Sequence, residues 1–251
     1  MAIPAHVMEK VMEKRYISRE EMKEIMRDAV ASYLFAVNVL NERFEQGEEA
    51  IAKDAFFSYM YALNVLEGRF ELGEPAMATK ADISCSYAKN ILKGRFELGE
   101  PVIAWDANMA FLYARDVVKG RFELGEIAIS SDCKWAISYT FDVVKGRFEK
   151  GERAIAKSPG LSYHYAEGIL KGRFELGEPA IATNALLSAS YAENILKGRF
   201  ELGEPAISQD PNLAYNYAAT IVKGRFELGE PAILKSIYED VYRSNFNVTD
   251  K

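Results

Sequence analysis

Apolar and small residues recur along the chain with the spacing of an amphipathic helix. Counted from Arg95 as position 0, positions 15, 18, 19 and 22 are Ala110, Tyr113, Ala114 and Val117. Steps of three, four and seven place these side chains on one helix face. We expect the position 18 tyrosines in the core, each hydroxyl finding a backbone partner; an exposed stacking row is the alternative. These are Tyr61, Tyr87, Tyr113, Tyr139, Tyr165, Tyr191 and Tyr217.

The pattern repeats because a phrase of the form KGRFELGE recurs eight times. Its arginines are 26 residues apart without insertion or deletion, and Phe, Glu, Gly and Glu follow at positions 1, 2, 4 and 5 in every copy. A fixed period in the range of about 20 to 50 residues is typical of a solenoid whose units stack on their neighbours. The arginines are Arg43, Arg69, Arg95, Arg121, Arg147, Arg173, Arg199 and Arg225.

Capping residues predict two helices per repeat. Position 11 is Asp, Asn or Ser in seven of the eight copies, and these residues cap helix N-termini. The long helix that starts there, about 13 residues by its pattern, should end at Lys-Gly, as in Lys119-Gly120, with the glycine in the left-handed conformation. After a connector, Glu-Pro, as in Glu100-Pro101, opens a short helix of one to two turns.

These elements predict an all-α fold, an α-solenoid of 26-residue helical-hairpin repeats with one long and one short helix per unit and helical caps. Residues 28–235 hold the tandem repeats. Residues 1–27 form an N-terminal helical cap that includes a capping box at Ser18-Arg19-Glu20-Glu21. Residues 236–251 form a C-terminal capping helix and tail in which the Tyr-Ala pair is lost.

Composition and charge narrow the function classes. A net charge of -6 disfavours a general nucleic-acid binder. We find no secretory leader and no apolar run of membrane-spanning length, which favours a cytoplasmic protein without a membrane partner. Cys85 and Cys133 lie at different repeat positions, which argues against a disulfide or a zinc site. We expect no metal and no cofactor.

Catalytic chemistry is not favoured either. His6 and His164 are the two histidines, and His164 falls at a variable position where we expect it on the surface. Glutamates at positions 2 and 5 recur in every repeat, and an enzyme rarely builds eight equal active sites. Phosphate-loop, dinucleotide and nucleophile-elbow motifs are absent from the sequence. We therefore predict that the protein is not an enzyme.

Positions 13, 17 and 20 lie opposite the core face and differ between repeats, so they are the predicted partner surface. Large apolar side chains there are costly to leave exposed unless a partner protein or a second copy covers them. The alternative is burial by curvature or by the short helix of a neighbouring unit, and for Trp135 burial is favoured. The candidates, with Trp105 nearby in sequence, are Phe56, Met60, Leu63, Trp105, Leu112, Arg115 and Phe141.

The Arg-Phe-Glu ladder is interpreted as structural. Each arginine can pair with a glutamate of its own or the adjacent repeat, while the phenylalanine fills the seam between short and long helices. An exposed pair of this kind contributes only about 0 to 1 kcal/mol. The alternative is that the Lys and Arg rows hold the phosphates of a small molecule or RNA. Neighbouring glutamates, and the lack of interleaved aromatic residues on a basic face, argue against it.

The succession Glu-Pro-Ala-Ile-Ala, a capping residue, Tyr-Ala and Lys-Gly-Arg-Phe resembles 26-residue tandem repeats of large tailed phages and some bacteria, over residues 28 to 236. No activity comes with this resemblance. The hairpins also look like tetratricopeptide and Sel1-like solenoids, which implies peptide or protein binding. The leading hypothesis is a scaffold that binds another protein; in a phage it would capture a host or defence component in the host cytoplasm. A self-assembling structural protein is a further alternative.

Overall fold

The computed structural model describes residues 3–248, and every regular element in that range is a helix. The predicted all-α class of helical-hairpin repeats is therefore confirmed. Residues 1–2 of the predicted cap and residues 249–251 of the predicted tail lie outside the described range. The chain divides into two compact units, Met1–Ile129 and Ser130–Lys251.

In the first unit, two helices precede the repeats, Ala5–Met12 and Arg19–Ile25. Ser18 and Glu21 form the predicted capping box at the start of the second. The long helices are Ala29–Phe35 continued by Ala36–Leu40, Ala55–Asn64, Ala81–Tyr87 continued by Ala88–Leu92, and Ala107–Tyr113 continued by Ala114–Val118. The short helices are Glu48–Ile51, Glu74–Met77 and Glu100–Ile103, and a further helix, Glu126–Ser131, contains the boundary between the units.

The second unit continues the same alternation. Its long helices are Cys133–Tyr139 with Thr140–Val144, Pro159–Tyr165 with Ala166–Leu170, Ala185–Tyr191 with Ala192–Leu196, and Pro211–Tyr217 with Ala218–Val222. Its short helices are Glu152–Ile155, Glu178–Ile181, Glu204–Ile207 and Glu230–Ile233. The last helix is Glu239–Phe246, so Ser236 does not cap it as the sequence pattern predicted.

Short polar side chains start the long helices as predicted. Asp54, Asp106 and Asn184 each accept a hydrogen bond from a backbone N–H in the first turn. Lys80 occupies the same position without a side-chain cap. Just before the short helices, Glu-Leu-Gly of the connector forms a 3-10 turn, as at Glu97–Gly99, so the connector is less irregular than the sequence indicated.

The ends of the long helices differ from the prediction. In the long helices other than Ala55–Asn64 the last five residues form a π-helix, as at Ala88–Leu92. The residue that follows takes the left-handed conformation, here Lys93 with φ of 52°. No glycine in residues 3–248 has a positive φ. The predicted left-handed glycine was therefore wrong. The π-turn brings the reversal one residue earlier, and Gly94 instead donates its N–H to the carbonyl of Ala88 at 3.2 Å.

Long and short helices of one repeat are joined by small residues. The hydroxyl of Ser188 donates to the carbonyl of Ile181 at 3.1 Å, and Ser84 bonds to Met77 in the same way. These serines are fully buried, and three of the repeats have alanine there, at Ala110, Ala136 and Ala214. Small residues let the two helices approach closely. Among residues 3–248, none of the helices combines the length and apolarity needed to cross a membrane.

Candidate binding surfaces

Within each of the two units, a cluster around a buried glutamate, here called a rung, joins a connector to the long helix that follows it. Glu74 accepts two hydrogen bonds from the guanidinium group of Arg69, at 2.7 and 3.1 Å, and a third from the hydroxyl of Tyr87 at 3.0 Å. The same hydroxyl accepts the backbone N–H of Phe70 at 3.0 Å. The position 5 glutamate is thus the centre of each rung, and the rung satisfies a backbone donor as well.

The rungs recur within each unit. In residues 3–129, Tyr61, Tyr87 and Tyr113 make both bonds, and in residues 130–248 so do Tyr165, Tyr191, Tyr217 and Tyr242. All seven position 18 tyrosines are buried, which excludes an exposed stacking row. Their rings contact the next phenylalanine, as Tyr87 does with Phe96 at a centroid distance of 5.2 Å.

Each ladder arginine bonds to the glutamate five residues later in its own repeat, not in the adjacent one. The glutamate side chains are at most 14% exposed, whereas the arginines are about half exposed; the pairs are Arg43–Glu48, Arg69–Glu74, Arg95–Glu100, Arg121–Glu126, Arg147–Glu152, Arg173–Glu178, Arg199–Glu204 and Arg225–Glu230. The sequence expectation of exposed, weak pairs was therefore wrong about the glutamates, because packing of the short helix removes them from water.

Burial and pairing shift the pKa values within a rung. Hydrogen bonding from Arg199, joined by that from Tyr217, lowers the pKa of Glu204 although burial opposes it. Burial raises the pKa of Tyr217 to about 12, with Glu204 adding to the effect. The charged carboxylate and the neutral phenol are thus the stable forms at neutral pH. With its guanidinium committed to a carboxylate, a ladder arginine is a poor phosphate ligand.

The sequence did not predict the last rung. Tyr242 lies one position earlier in its repeat than the other tyrosines, yet its hydroxyl bonds to Glu230 and to the N–H of Phe226. In this last repeat the connector residues 227–229 form a turn instead of a 3-10 helix, and the final helix has no side-chain cap, so the tyrosine reaches the same place from a shifted register. The tyrosine in the apolar face of that helix was the available signal.

The variable helix face is formed by positions 13, 17 and 20 of the long helices. On helix Ala55–Asn64 it consists of Phe56, Met60 and Leu63, of which Phe56 is 51% exposed and the other two are half-buried. Phe56 packs edge-on against Phe57, with ring centroids 5.3 Å apart. These three predicted residues therefore lie together on one helix.

In the same unit, Leu112 is half-buried and Arg115 is exposed on a second long helix. Arg115 donates to Asp116 at 2.6 Å and lies 5.1 Å from the ring centre of Phe111. Lys89, from the helix between, also binds Asp116 at 2.8 Å. Because that middle helix carries polar residues, the predicted apolar candidates do not merge into one continuous patch.

The remaining candidates have varied surroundings. Phe141, in the second unit, is 41% exposed, and its ring lies against Gly168 of the next long helix. Trp105 is 84% exposed in the turn after a short helix, away from the variable helix face. Trp135 is half-buried, with Lys134 4.5 Å from its ring centre, so the predicted burial is only partial. Sequence reasoning missed Leu186, an exposed position 13 residue.

A second exposed surface was not predicted at all. Position 3 of the connector is leucine in six repeats, and each of these leucines is between 50% and 55% exposed. Together with the exposed arginine at position 0 and glutamate at position 2 they form what we call the leucine edge. Its leucines are Leu72, Leu98 and Leu124 in the first unit and Leu176, Leu202 and Leu228 in the second.

Open clefts separate consecutive rungs on this edge. In the second unit, a cleft of about 820 Å³ lies between Arg173 and Arg199 and is lined by Leu196 and Leu202. The cleft before it, between Arg147 and Arg173, has a volume of about 570 Å³. In the first unit, the cleft between Arg43 and Arg69 measures about 590 Å³. Clefts lined partly by leucine and partly by arginine and glutamate therefore recur with the repeat.

Metal chemistry finds no support in the described residues. In residues 3–248 no three His, Cys, Asp or Glu side chains are grouped so as to hold a metal ion. Cys85 and Cys133 are free thiols, and burial raises the pKa of Cys85 to about 11. His164 is exposed, as expected, beside Tyr163.

Comparison with protein-family models, with curated proteins and with solved structures found no match to this chain.

Proposed function

We propose that the protein is a repeat scaffold that binds another protein through its variable helix face. The observation that carries this proposal is that the constant positions and the variable positions of each repeat occupy different parts of the structure. The rung residues are the same in successive repeats and form the core, whereas positions 13, 17 and 20 change from repeat to repeat and lie outside it. Large apolar side chains stand exposed there, at Phe56, Phe141 and Leu186.

An irregular face fits a folded protein better than a polymer. A regular polymer such as nucleic acid would meet the same side chains in every repeat. Here the three positions hold Phe56, Met60 and Leu63 in one helix but Asp82, Ser86 and Lys89 in the next. Such a mixture of exposed apolar groups and opposite charges matches the core and rim of a protein interface.

The resemblance to repeats of large tailed phages extends the proposal to the biological partner. A phage protein of this type would capture a host protein, for example a defence component, in the host cytoplasm. Solenoids of paired helices commonly present such surfaces to peptides and proteins, and this analogy of architecture supports the same function.

The test compares the full chain with a variant in which Phe56 and Phe141 are both changed to serine. Each protein is immobilised and exposed to host lysate, and the captured protein is then purified and titrated against both by calorimetry. We expect the double variant to bind at least about tenfold more weakly, as for loss of interface anchors.

The matched control is Ile237→Ser, because Ile237 is 90% exposed but lies outside the variable helix face. It should retain the affinity of the unchanged chain. Equal affinity of all three proteins for the purified partner would contradict the assignment of this face, and equal loss in the control would show that exposed apolar groups bind without selectivity.

Sequestration of a phosphate-bearing molecule or RNA along the Lys and Arg rows has less support. Each ladder arginine is held by a buried carboxylate, and a second glutamate stands close by, as Glu71 does at 3.7 Å from Arg69. Calorimetry with a nucleotide panel and an RNA oligomer at low salt, where such binding is strongest, tests this alternative.

A further inference from the structure

The leucine edge is an apolar surface of a kind different from the variable helix face. Its leucines are half exposed although Phe at position 1 and Ile of the short helix already fill the core beside them. The same residue type stands at the same place in successive repeats, whereas position 13 on the variable helix face varies. A partner for this edge must therefore offer the same features at the same spacing.

Charge also points to a self-complementary partner. Each repeat exposes an arginine and, two residues later, a glutamate, such as Arg173 and Glu175, which are 4.0 Å apart and 58% and 81% exposed. The edge thus alternates positive, negative and apolar groups instead of presenting one sign. Each arginine holds the position 5 glutamate of its own repeat, and in an antiparallel two-fold arrangement its exposed side can also approach a position 2 glutamate of the other copy.

Shape gives the third observation. The clefts between consecutive rungs recur with the period of the leucines. Leucines form part of each lining, Leu196 and Leu202 in one case and Leu170 and Leu176 in another, and arginine and glutamate side chains form much of the rest. The clefts are open to solvent and of a size to admit a leucine side chain. Because the exposed leucines and the clefts recur with the same period, the leucines of one copy can enter the clefts of another.

We infer that the leucine edge binds the leucine edge of a second copy of this chain, with the leucines of each copy entering the clefts of the other. This association is independent of the proposed partner protein, which uses the variable helix face. A stable interface requires about 800 Å² from each copy, so several consecutive repeats must engage together, and losing the leucines of two neighbouring repeats should break the dimer.

The test measures the mass of the full chain in solution by sedimentation over a range of concentrations. Leu176 and Leu202 are changed together to aspartate, and in a second variant to glutamine, which adds no charge. We expect the unchanged chain to be a dimer and both variants to have a dissociation constant raised at least about tenfold. Far-ultraviolet circular dichroism should show the same helix content in all, because the leucines are half exposed.

The matched control is Leu186→Asp, since Leu186 is a leucine of the same unit, is 61% exposed and lies on the variable helix face. It should leave the dimer intact. A monomeric unchanged chain at all concentrations, a dimer that persists in both leucine-edge variants, or a dimer lost equally in the Leu186 variant would each overturn the inference.

Discussion

The carboxylate of Glu204 accepts two hydrogen bonds from Arg199 and one from Tyr217. Its side chain is only 9% exposed, whereas that of Arg199 is 51% exposed. The arginine keeps part of its hydration while the glutamate gives up nearly all of its own, so the bonds must compensate the glutamate. Removing its charge therefore costs more than the loss of an exposed pair.

We predict that Glu204→Gln lowers the free energy of unfolding by about 2 kcal/mol or more, because the amide cannot accept the two-pronged bond from Arg199. Urea denaturation followed by circular dichroism measures the change. Glu193→Gln removes an equal charge from an exposed site and should change stability by no more than about 0.5 kcal/mol. Similar values for the two variants would contradict the role given to the rung.

The same residue gives an acid dependence whose sign follows from its pKa. The pKa of Glu204 is lowered in the folded protein, chiefly by hydrogen bonding from Arg199. A depressed folded pKa adds stability that is complete above the unfolded value of about 4.3 and is lost as the pH falls below it. Denaturation at pH 7 and near pH 3 should show that Glu204→Gln costs less in acid. An equal cost at both pH values would refute this.

The hydroxyl of Tyr87 supports a second prediction. It is the acceptor for the buried N–H of Phe70 and a donor to Glu74. Tyr87→Phe should lower stability by about 1 to 3 kcal/mol, since it leaves a buried backbone donor without a partner. Tyr59→Phe is the control, because the Tyr59 hydroxyl accepts a solvent-exposed hydrogen bond from Asn90. Thermal melts compare the two variants.

At this scale the sequence predicted which side chains are buried but not how they are bonded. The period placed Tyr113 and Ala114 in the core, and both are fully buried. That Tyr113 would bond to Glu100 could not be read from the sequence, because the residues are 13 positions apart and two glutamates of the motif were equally available. Helix packing, which the sequence pattern leaves open, selects the glutamate at position 5.

Among the elements, the two glycines of each connector play unequal parts. A Cβ on Gly203 would lie 2.5 Å from the ring of Phe200 and 2.6 Å from Ser188. A Cβ on Gly198 would approach nothing closer than the carbonyl of Leu196, at 3.8 Å. Gly203 therefore permits close approach of the connector to the long helix, whereas no neighbouring atom requires a glycine at Gly198.

We predict that Gly203→Ala destabilises the protein by about 1 to 3 kcal/mol through overpacking, while Gly198→Ala is neutral or slightly stabilising because its backbone has no positive φ. The two variants are matched in chemistry and in repeat. Urea midpoints measure the difference, and equal midpoints would show that the ring and serine adjust without cost.

Local capping rules succeeded at one end of the long helices and failed at the other. Asp106 caps as predicted because its bond depends only on residues within three positions. The rule for the C-terminal end assumes that an α-helix continues to the glycine. Here the final five residues are π-helical, so Lys119 takes the left-handed conformation at φ of 54° and Gly120 does not. Sequence propensity contains no clear signal for a π-helix.

For the molecule as a whole, the period predicted the repeating architecture but not the exposed leucine edge. The variable helix face was visible as variation at positions 13, 17 and 20. The leucine edge was hidden because Leu98 follows Phe96 and Glu97 in a phrase whose constancy suggested packing. Only the positions of the side chains separate a buried constant residue, such as Phe96, from an exposed one.

The rung tyrosines should make alkaline unfolding a cooperative event. Burial raises the pKa of Tyr61, Tyr191, Tyr217 and Tyr242 to about 12, against about 10 for an unfolded chain. A raised folded pKa adds stability that is complete below the unfolded value and disappears as the pH rises to the folded one. Stability should therefore fall between about pH 10 and pH 12.

Phenolate absorbance and far-ultraviolet circular dichroism, recorded in one titration, measure this transition. Because an ionised rung tyrosine would face the carboxylate of its own rung, as Tyr217 faces Glu204 at 3.0 Å, ionisation and helix loss should coincide. The chain unfolded in urea is the control, and its tyrosines should ionise at about pH 10, their unshifted value. If the rung tyrosines ionise while the helical signal is unchanged, the rungs open locally and are not needed to hold each connector to the long helix that follows it.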